Sequence, residues 1–493
     1  MIQTTIFDAI YPKYQITKPI RLIELFGGYG SQALALKYLG VEFEHWKLVE
    51  WAVKSIQAYK DIHFTDQHLT FAKNRTKEEM VDYLYQKGIS SNYNEPMTRE
   101  QINRLNEEQL RTILENIAIT HNLVNIQQVK AKDLKIVDTN EYCYIMCYSF
   151  PCQDLSLAGK GKGMSDTSTR SGMLWEVERI LTECKELGTL PQVLLMENVP
   201  QVHGEGNVED FNKWQLRLEE LGYKNYWEDL IATDYGIPQT RNRCFMVSIL
   251  GDYSYSFPPK QELKLKLKDM LEYNVDEKYY LSDKQIEDIQ SWQAYEKPLD
   301  NMEKTDKNNI SPTLTTRSGA YAAGMILVKN ANSKGYLEAE DGDGVDISGR
   351  MEYHRGTVQK GKTQTLSTKG GENNGVVVDM KRQLCNELIK NNMVQENDVI
   401  RHSYSSSRMN DWENRSVEKN NLSPTLDTRC DCLGVVNNMR IRKLTPKKCF
   451  RLMGVKDEDY EKVAKNQSNA SLYHLAGDSI VVNVLMAIFK ELL

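Results

Sequence analysis

From residue 20 to residue 50 the chain reads as strand, glycine turn, helix, strand, and that order commits it to an α/β sheet. An apolar run over 20–26 predicts a strand, Gly27-Gly28-Tyr29-Gly30 supplies a tight turn, and the periodicity of 31–39 predicts a helix. A second strand over 46–49 ends on Glu50. Glu50 lies about 20 residues past the glycines, where nucleotide-binding α/β folds place an acid that accepts from ribose hydroxyls. The turn supplies only part of the glycine pattern that cradles a pyrophosphate, because Gly28-Tyr29-Gly30 runs on into Ser31 and Gln32. A cofactor carrying adenosine but no phosphate fits such a loop; an ordinary tight turn fits it as well.

Two more strand ends carry chemistry. An apolar strand over 142–148 runs out at Phe150-Pro151-Cys152-Gln153, and Leu194-Leu195-Met196 reads as a buried strand ending on Glu197-Asn198-Val199. A thiol at a strand end is a candidate nucleophile, and a buried glutamic acid, its pKa raised, is a candidate proton donor. Taken singly, each has a plainer reading, cysteine as packing material and glutamate as a surface or capping acid. In Gln239-Thr240-Arg241-Asn242-Arg243 the two arginines stand two residues apart on an expected strand. That spacing points both to one site.

At 493 residues the chain exceeds one ordinary domain, so two lobes are expected. Hydrophobic content of 40% and charge of 26% are those of a soluble globular protein. No apolar run reads as membrane-spanning and the first residues lack a signal-peptide profile, so a cytoplasmic location without membrane association is expected. Nine scattered cysteines argue for reduced thiols, and Cys430 and Cys432 lack the partners of a zinc site, so no metal is expected. The net charge of −6 is mildly unfavourable for a nucleic-acid binder, although a locally basic cleft would override it.

Residues 65–128 read as a polar, charged insertion with helices near 77–86 and 99–117 and a loop at 90–96 between them. A solvated excursion is the expectation, with a DNA-backbone or partner contact as the other reading. From 251 to 439 the composition turns polar, and three related units recur: Ser311-Pro312-Thr313-Leu314-Thr315-Thr316-Arg317, Thr363-Gln364-Thr365-Leu366-Ser367-Thr368-Lys369 and Ser423-Pro424-Thr425-Leu426-Asp427-Thr428-Arg429. Each is followed within about a dozen residues by a β-branched run, which predicts an irregular β region of turn-plus-strand pieces. Asp341-Gly342-Asp343-Gly344 lacks the spacing and closing glutamate of a calcium loop. Pro446 suits the first turn of a helix in the tail.

These blocks, completed by Arg442-Lys443-Leu444-Thr445-Pro446, Phe450-Arg451-Leu452-Met453-Gly454 and Gly477-Asp478-Ser479-Ile480, resemble in their order the cytosine-C5 DNA methyltransferases of bacterial and phage restriction-modification systems. The resemblance implies a Rossmann-like, S-adenosylmethionine-dependent catalytic domain over 1–250, closed by a return over 440–493. A smaller, mostly β target-recognition domain would occupy 251–439. It implies Cys152 as the nucleophile toward cytosine C6 and Glu197 as the acid at N3. Arg241 and Arg243 would hold the flipped base and Asn198 would orient the Pro-Cys loop. Phe26, Gly28, Gly30, Glu50, Trp51, Asp133, Leu134, Pro151, Leu174, Asp478, Ser479 and Ile480 would hold the cofactor. Gln153, Ser156, Lys160, Arg317, Lys369 and Arg429 are the candidate DNA contacts. The family commonly has Asn where Asp478 stands and Pro where Asn483 stands, and Asp478 is read at a helix start, where it would receive the cofactor's ammonium or cap the helix.

The partner implied is double-stranded DNA, with a cognate restriction endonuclease in the same system and the enzyme itself a monomer, associated with the nucleoid through its substrate. Two other readings stay open. One is a cytosine-C5 methyltransferase acting on tRNA; the other is a multispecific phage enzyme whose three repeats serve several DNA sites.

Overall fold

Six strands and the helices packed on them draw on both halves of the chain, with the last helix packed on the first. The computed structural model describes residues 11–65, 67, 70–151, 171–270, 272, 275–280, 326–332, 336–339, 343–346, 357–366, 374–379, 399–400, 417–418 and 439–493. The chain divides into two units, one of residues 1–265, 365–370 and 449–493, the other of residues 266–364 and 371–448.

In the first unit, β1 (Ile20–Leu25), β2 (Phe43–Val49), β3 (Cys143–Tyr148), β4 (Val193–Asn198), β5 (Tyr223–Ile231) and β6 (Asn242–Leu250) form one sheet in the order β2-β1-β3-β4-β6-β5. Strands β1 to β4 pair in parallel, and β6 runs antiparallel to both β4 and β5. The central strands β3 and β4 are buried at every residue, as strands covered on both faces must be. One face packs on α7 (Leu174–Leu187) and α8 (Val208–Leu221), where Leu174, Val177, Ile180 and Leu181 meet Tyr144, Met146, Tyr148 and Met196. Trp214 of α8 is fully buried there and donates its indole N–H to the Tyr148 hydroxyl at 3.1 Å. The C-terminal helix Val482–Leu492 packs on the helix α1 (Ser31–Tyr38), so the last residues complete the layer begun by the first.

The tail bears on the sequence reading on membranes. Asn469–Leu492 is long and apolar enough to cross one, yet 78% of its most apolar window is buried in the fold. The stretch is two helices, Asn469–Asp478 and Val482–Leu492, whose apolarity serves the protein core.

The insertion is not a solvated excursion. Its helices α3 (Lys77–Lys87), α4 (Arg99–Asn103) and α5 (Glu107–Ile119) each begin with a capping box, Thr76 with Glu79, Thr98 with Gln101 and Asn106 with Gln109. The third box splits the single helix expected over 99–117, because Asn106 starts a new one. Met80, Val81, Leu84, Ile102, Leu110, Ile113, Leu114 and Ile117 build a core of its own around Ile56.

The second unit is β-rich where it is described. Strands Val358–Gln359, Gly344–Asp346, Asn374–Asp379 and Met439–Lys443 form a mixed-order antiparallel sheet, and two further antiparallel pairs join Ile326–Lys329 to Tyr336–Ala339 and Val399–Ile400 to Val417–Glu418. Both expected domain limits shift. Residues 251–265 stay with the first unit, where Tyr14 donates its amide N–H to the Ser254 carbonyl at 3.0 Å and Tyr255 is buried against the last helix. Met439–Lys443 pairs with Asn374–Asp379 and so belongs to the second. Asp343 of the Asp-Gly-Asp-Gly stretch is held by protein groups, the Lys360 ammonium at 2.8 Å and the Gly361 amide at 2.9 Å.

Candidate active site

Parallel pairing brings the carboxyl ends of β1, β2, β3 and β4 to one edge of the sheet, which is where an open α/β sheet places its ligands. After β1 the chain turns through Phe26 (φ 58°), Gly28 (φ 55°) and Gly30 (φ 85°) into α1. A Cβ on Gly30 would lie 2.4 Å from His63 Nε2, so that glycine serves close packing; a Cβ on Gly28 would meet nothing within 4 Å, so its backbone faces an open cradle. Glu50, at the end of β2, accepts the Gly28 N–H at 3.0 Å on one carboxylate oxygen and the Ala52 N–H at 2.7 Å on the other. Burial pushes this carboxyl up to about 7, against the pull of those amides and with a further push from Asp478. Phe26, Gly28, Ser31, Ser149, Asp478, Ser479 and Ile480 line the cleft beside it.

The second half of the site is built from β3, β4 and β6. Tyr148 pairs with Met196, so Glu197 follows at the level of the chain leaving β3. Asn198 donates its side-chain N–H to the Phe150 carbonyl at 3.0 Å, directly before Pro151, and its own oxygen accepts the Val199 N–H at 2.8 Å. Glu197 is buried, and its carboxylate stands 3.1 Å from Nε of Arg243, which β6 carries alongside. Burial raises the Glu197 pKa and the Arg243 and Arg241 charges oppose the rise. A buried acid held beside a fixed cation at the sheet edge is suited to giving and retaking a proton.

The model of C-5 cytosine-specific DNA methylases matches residues 87–493. The chain belongs to that family. The type II methyltransferase M2.ScrFI of Lactococcus lactis subsp. cremoris is 30% identical over 479 residues, 96% of this chain and 99% of that protein. The orphan methyltransferase M.SssI of Spiroplasma monobiae is 35% identical over 326 residues, 65% of this chain and 77% of that protein. The orphan methyltransferase M.SPRI of Bacillus phage SPR is 25% identical over 512 residues, 96% of this chain and 97% of that protein. The enzyme is thus a cytosine-C5 DNA methyltransferase with the expected α/β fold and a smaller β unit.

Several residues of the methyltransferase take places that the sequence reading did not give them. Arg241 precedes β6, so the strand alternation does not govern it. Its guanidinium is buried and donates to the carbonyls of Gly477 at 3.1 Å, Ser479 at 2.7 Å and Leu366 at 3.3 Å. It braces the turn that lines the cleft, while Arg243 forms an ion pair with Glu197. Asp478 is the last residue of its helix, so it caps no helix start. A carboxylate at a helix C-terminus is electrostatically unfavourable, and His474, 3.3 Å away on the same helix, offsets it. Trp51 packs against the insertion core, and Asp133 is partly buried, accepting the Lys130 N–H at 2.9 Å. Leu134 and Leu174 are buried in the main core. Cys152, Gln153, Ser156, Lys160, Arg317, Lys369 and Arg429 lie outside the described residues.

Sequence reasoning assigned no role to Asn122, to Gln239 or to the trio His203, Asp229 and Cys244. Asn122 holds Glu50 from below, accepting its N–H at 3.1 Å and donating to its carbonyl at 2.8 Å. Gln239 donates to the Leu452 carbonyl at 2.7 Å and accepts the Leu366 N–H at 3.2 Å. His203, Asp229 and Cys244 cluster within 4.8 Å, with the imidazole 3.0 Å from the carboxylate. The partners in each set are far apart along the chain, so these contacts are not legible in it, although Gln239 stands in the Gln239–Arg243 motif.

Proposed function

We propose that the enzyme transfers a methyl group from S-adenosylmethionine to C5 of a cytosine within a specific sequence of duplex DNA, through a covalent adduct of Cys152 with C6. The observation that carries this reading is the strand-end pair: Glu197 buried against Arg243 at 3.1 Å, with Asn198 tethering the Phe150 carbonyl two residues before Cys152. S-adenosylmethionine, when bound, supplies an electrophilic methyl group. The cleft suits it, because Gly28 offers an open backbone cradle and Glu50 a carboxylate, the pairing expected for an adenosine without phosphate.

C5 of cytosine is a poor nucleophile. The Cys152 thiolate adds to C6, and electron density moves toward C5 and N3, where Glu197 donates its proton. The raised pKa of Glu197 favours the protonated form that this step needs, and Arg243 holds the carboxylate that remains. After methylation at C5, loss of the C5 proton and elimination of the Cys152 thiolate restore the ring and the enzyme. Glu197 retakes the N3 proton. The reacting carbon lies inside the base stack, so the cytosine must swing out of the duplex, at a cost of a few kcal/mol that contacts in the pocket offset. The second unit, β-rich where it is described, is the candidate reader of sequence.

The test is whole-genome cytosine methylation mapping in a host lacking its own methylases, comparing wild type with Cys152→Ala and Glu197→Gln. A C5 mark in one motif, abolished by Cys152→Ala and reduced on the order of a hundredfold by Glu197→Gln, is the expected result. Marks in several motifs would favour the three repeats as separate readers. An unmarked genome, with the mark found on RNA instead, would sink the DNA reading. A type II relative and two orphan relatives frame the biological setting, protection against a cognate restriction endonuclease in the first case.

A further inference from the structure

The loop between α3 and α4 carries a tyrosine to the rim of the glycine cleft. Its root is tied to the chain just past Glu50: Ser90 donates its N–H to the Trp51 carbonyl at 2.8 Å, and Val53 donates to the Ser90 carbonyl at 2.9 Å. The Ser90 hydroxyl then organises the turn, accepting the Tyr93 N–H at 3.1 Å and donating to the Glu95 carbonyl at 2.8 Å. Asn92 adds its side-chain oxygen, which accepts the N–H groups of Asn94 at 3.0 Å and Glu95 at 3.2 Å. This network holds Tyr93 at φ 63°, a left-handed conformation that a bulky aromatic residue adopts only under constraint.

The constraint delivers the ring to a defined place. Tyr93 lies flat on His474, with ring centroids 3.9 Å apart and planes 14° apart, and His474 lines the cleft together with Ser55 and Asp478. The phenol hydroxyl is buried; the Ser55 side chain interacts with it, though not at full hydrogen-bonding geometry, and Glu50 and Asp478 both act on it. A buried hydroxyl whose hydrogen bonding is incomplete is costly, and packing alone has no use for it. The cleft encloses about 30 Å³. Ligand sites of this kind hold roughly 300 Å³ or more, so part of the wall yields when a nucleoside enters. His474, with Tyr93 of the loop stacked on it, is a part of the wall that lies outside the sheet core.

We propose that Tyr93 is a cofactor-site residue supplied by the helical insertion: with His474 it forms the movable outer wall of the cleft, and its hydroxyl finds its partner in a polar atom of the bound S-adenosyl nucleoside. The inference rests on reading the cleft as the S-adenosylmethionine site. It assigns the insertion a role in holding the cofactor.

Calorimetric titration of the full chain with S-adenosylhomocysteine, without DNA, tests it. The expected result is a tenfold or greater rise in Kd for Tyr93→Ala and a smaller rise, about threefold to fivefold, for Tyr93→Phe, which keeps the stack and loses only the hydroxyl. Hydrogen exchange on the wild-type protein needs no variant: the amides of 91–95 should gain protection on ligand binding. If Tyr93→Ala does not fold, Tyr93→Phe and the exchange measurement decide. Variants that bind within twofold of wild type, or loop amides that exchange at an unchanged rate, overturn the proposal while leaving the cofactor reading intact. A wild-type protein that does not bind S-adenosylhomocysteine sinks the cofactor reading and this inference together.

Discussion

Glu50 shows how much of a site's chemistry is decided around a single side chain. Its place, at the end of the second strand past a glycine turn, was legible in the sequence; its environment was not. Burial among Gly28, Ala52 and Asp478 pushes the carboxyl up to about 7, and the Asn122 side chain, which arrives from the far end of the insertion, fixes its backbone. A folded-state pKa above the unfolded value of about 4.3 means that the stability linked to this group is full below that value and is lost as pH rises through about 7. Ligand hydroxyls that donate to Glu50 favour the ionised form, so binding should strengthen as pH rises through the same range. S-adenosylhomocysteine should therefore bind roughly tenfold more weakly at pH 6 than at pH 8, and Glu50→Gln should lower affinity and flatten this dependence, as read by titration at each pH. A wild-type affinity that does not change over this range would place the Glu50 pKa elsewhere.

Elements were legible where local chemistry is decisive. The strand ends at Glu50, Tyr148 and Asn198 and the helix that starts at Pro446 stand as their apolar runs and turn residues indicate. The helix expected over 99–117 failed for a local reason too, since the Asn106 capping box competes with helix continuation and wins. Arg241 failed for a non-local reason: two-residue alternation holds only inside a strand, and the chain has not yet entered β6. The glycine turn allows a sharp test at this scale. Gly30 combines φ 85° with a Cβ direction blocked by His63 Nε2 at 2.4 Å and a Tyr59 ring carbon at 2.7 Å. Gly30→Ala should cost at least about 2 kcal/mol in urea unfolding, because both the backbone and the packing resist it. A loss under about 0.5 kcal/mol would mean that the turn relaxes freely.

At the scale of the whole molecule, the net charge of −6 sets a condition on DNA binding. An acidic chain repels a polyanion unless its lysines and arginines are gathered where the phosphates lie, and binding then releases counterions in proportion to the contacts made. Affinity for a cognate duplex should fall steeply, by a factor on the order of a thousand between 50 and 200 mM salt, as read by fluorescence anisotropy. A shallow slope would mean that few phosphates are contacted. The order of the motifs, the proposed nucleophile and acid after successive strands and the glycine-to-acid spacing were determined by the sequence itself, because each depends on a few neighbouring residues. Tertiary structure alone decided that the final helix closes the first layer, that Arg241 braces the Gly477–Ser479 turn while Arg243 meets Glu197, and that a polar insertion folds on its own core beside Glu50. Those outcomes depend on which distant surfaces bury one another, and no local pattern in the chain encodes that choice.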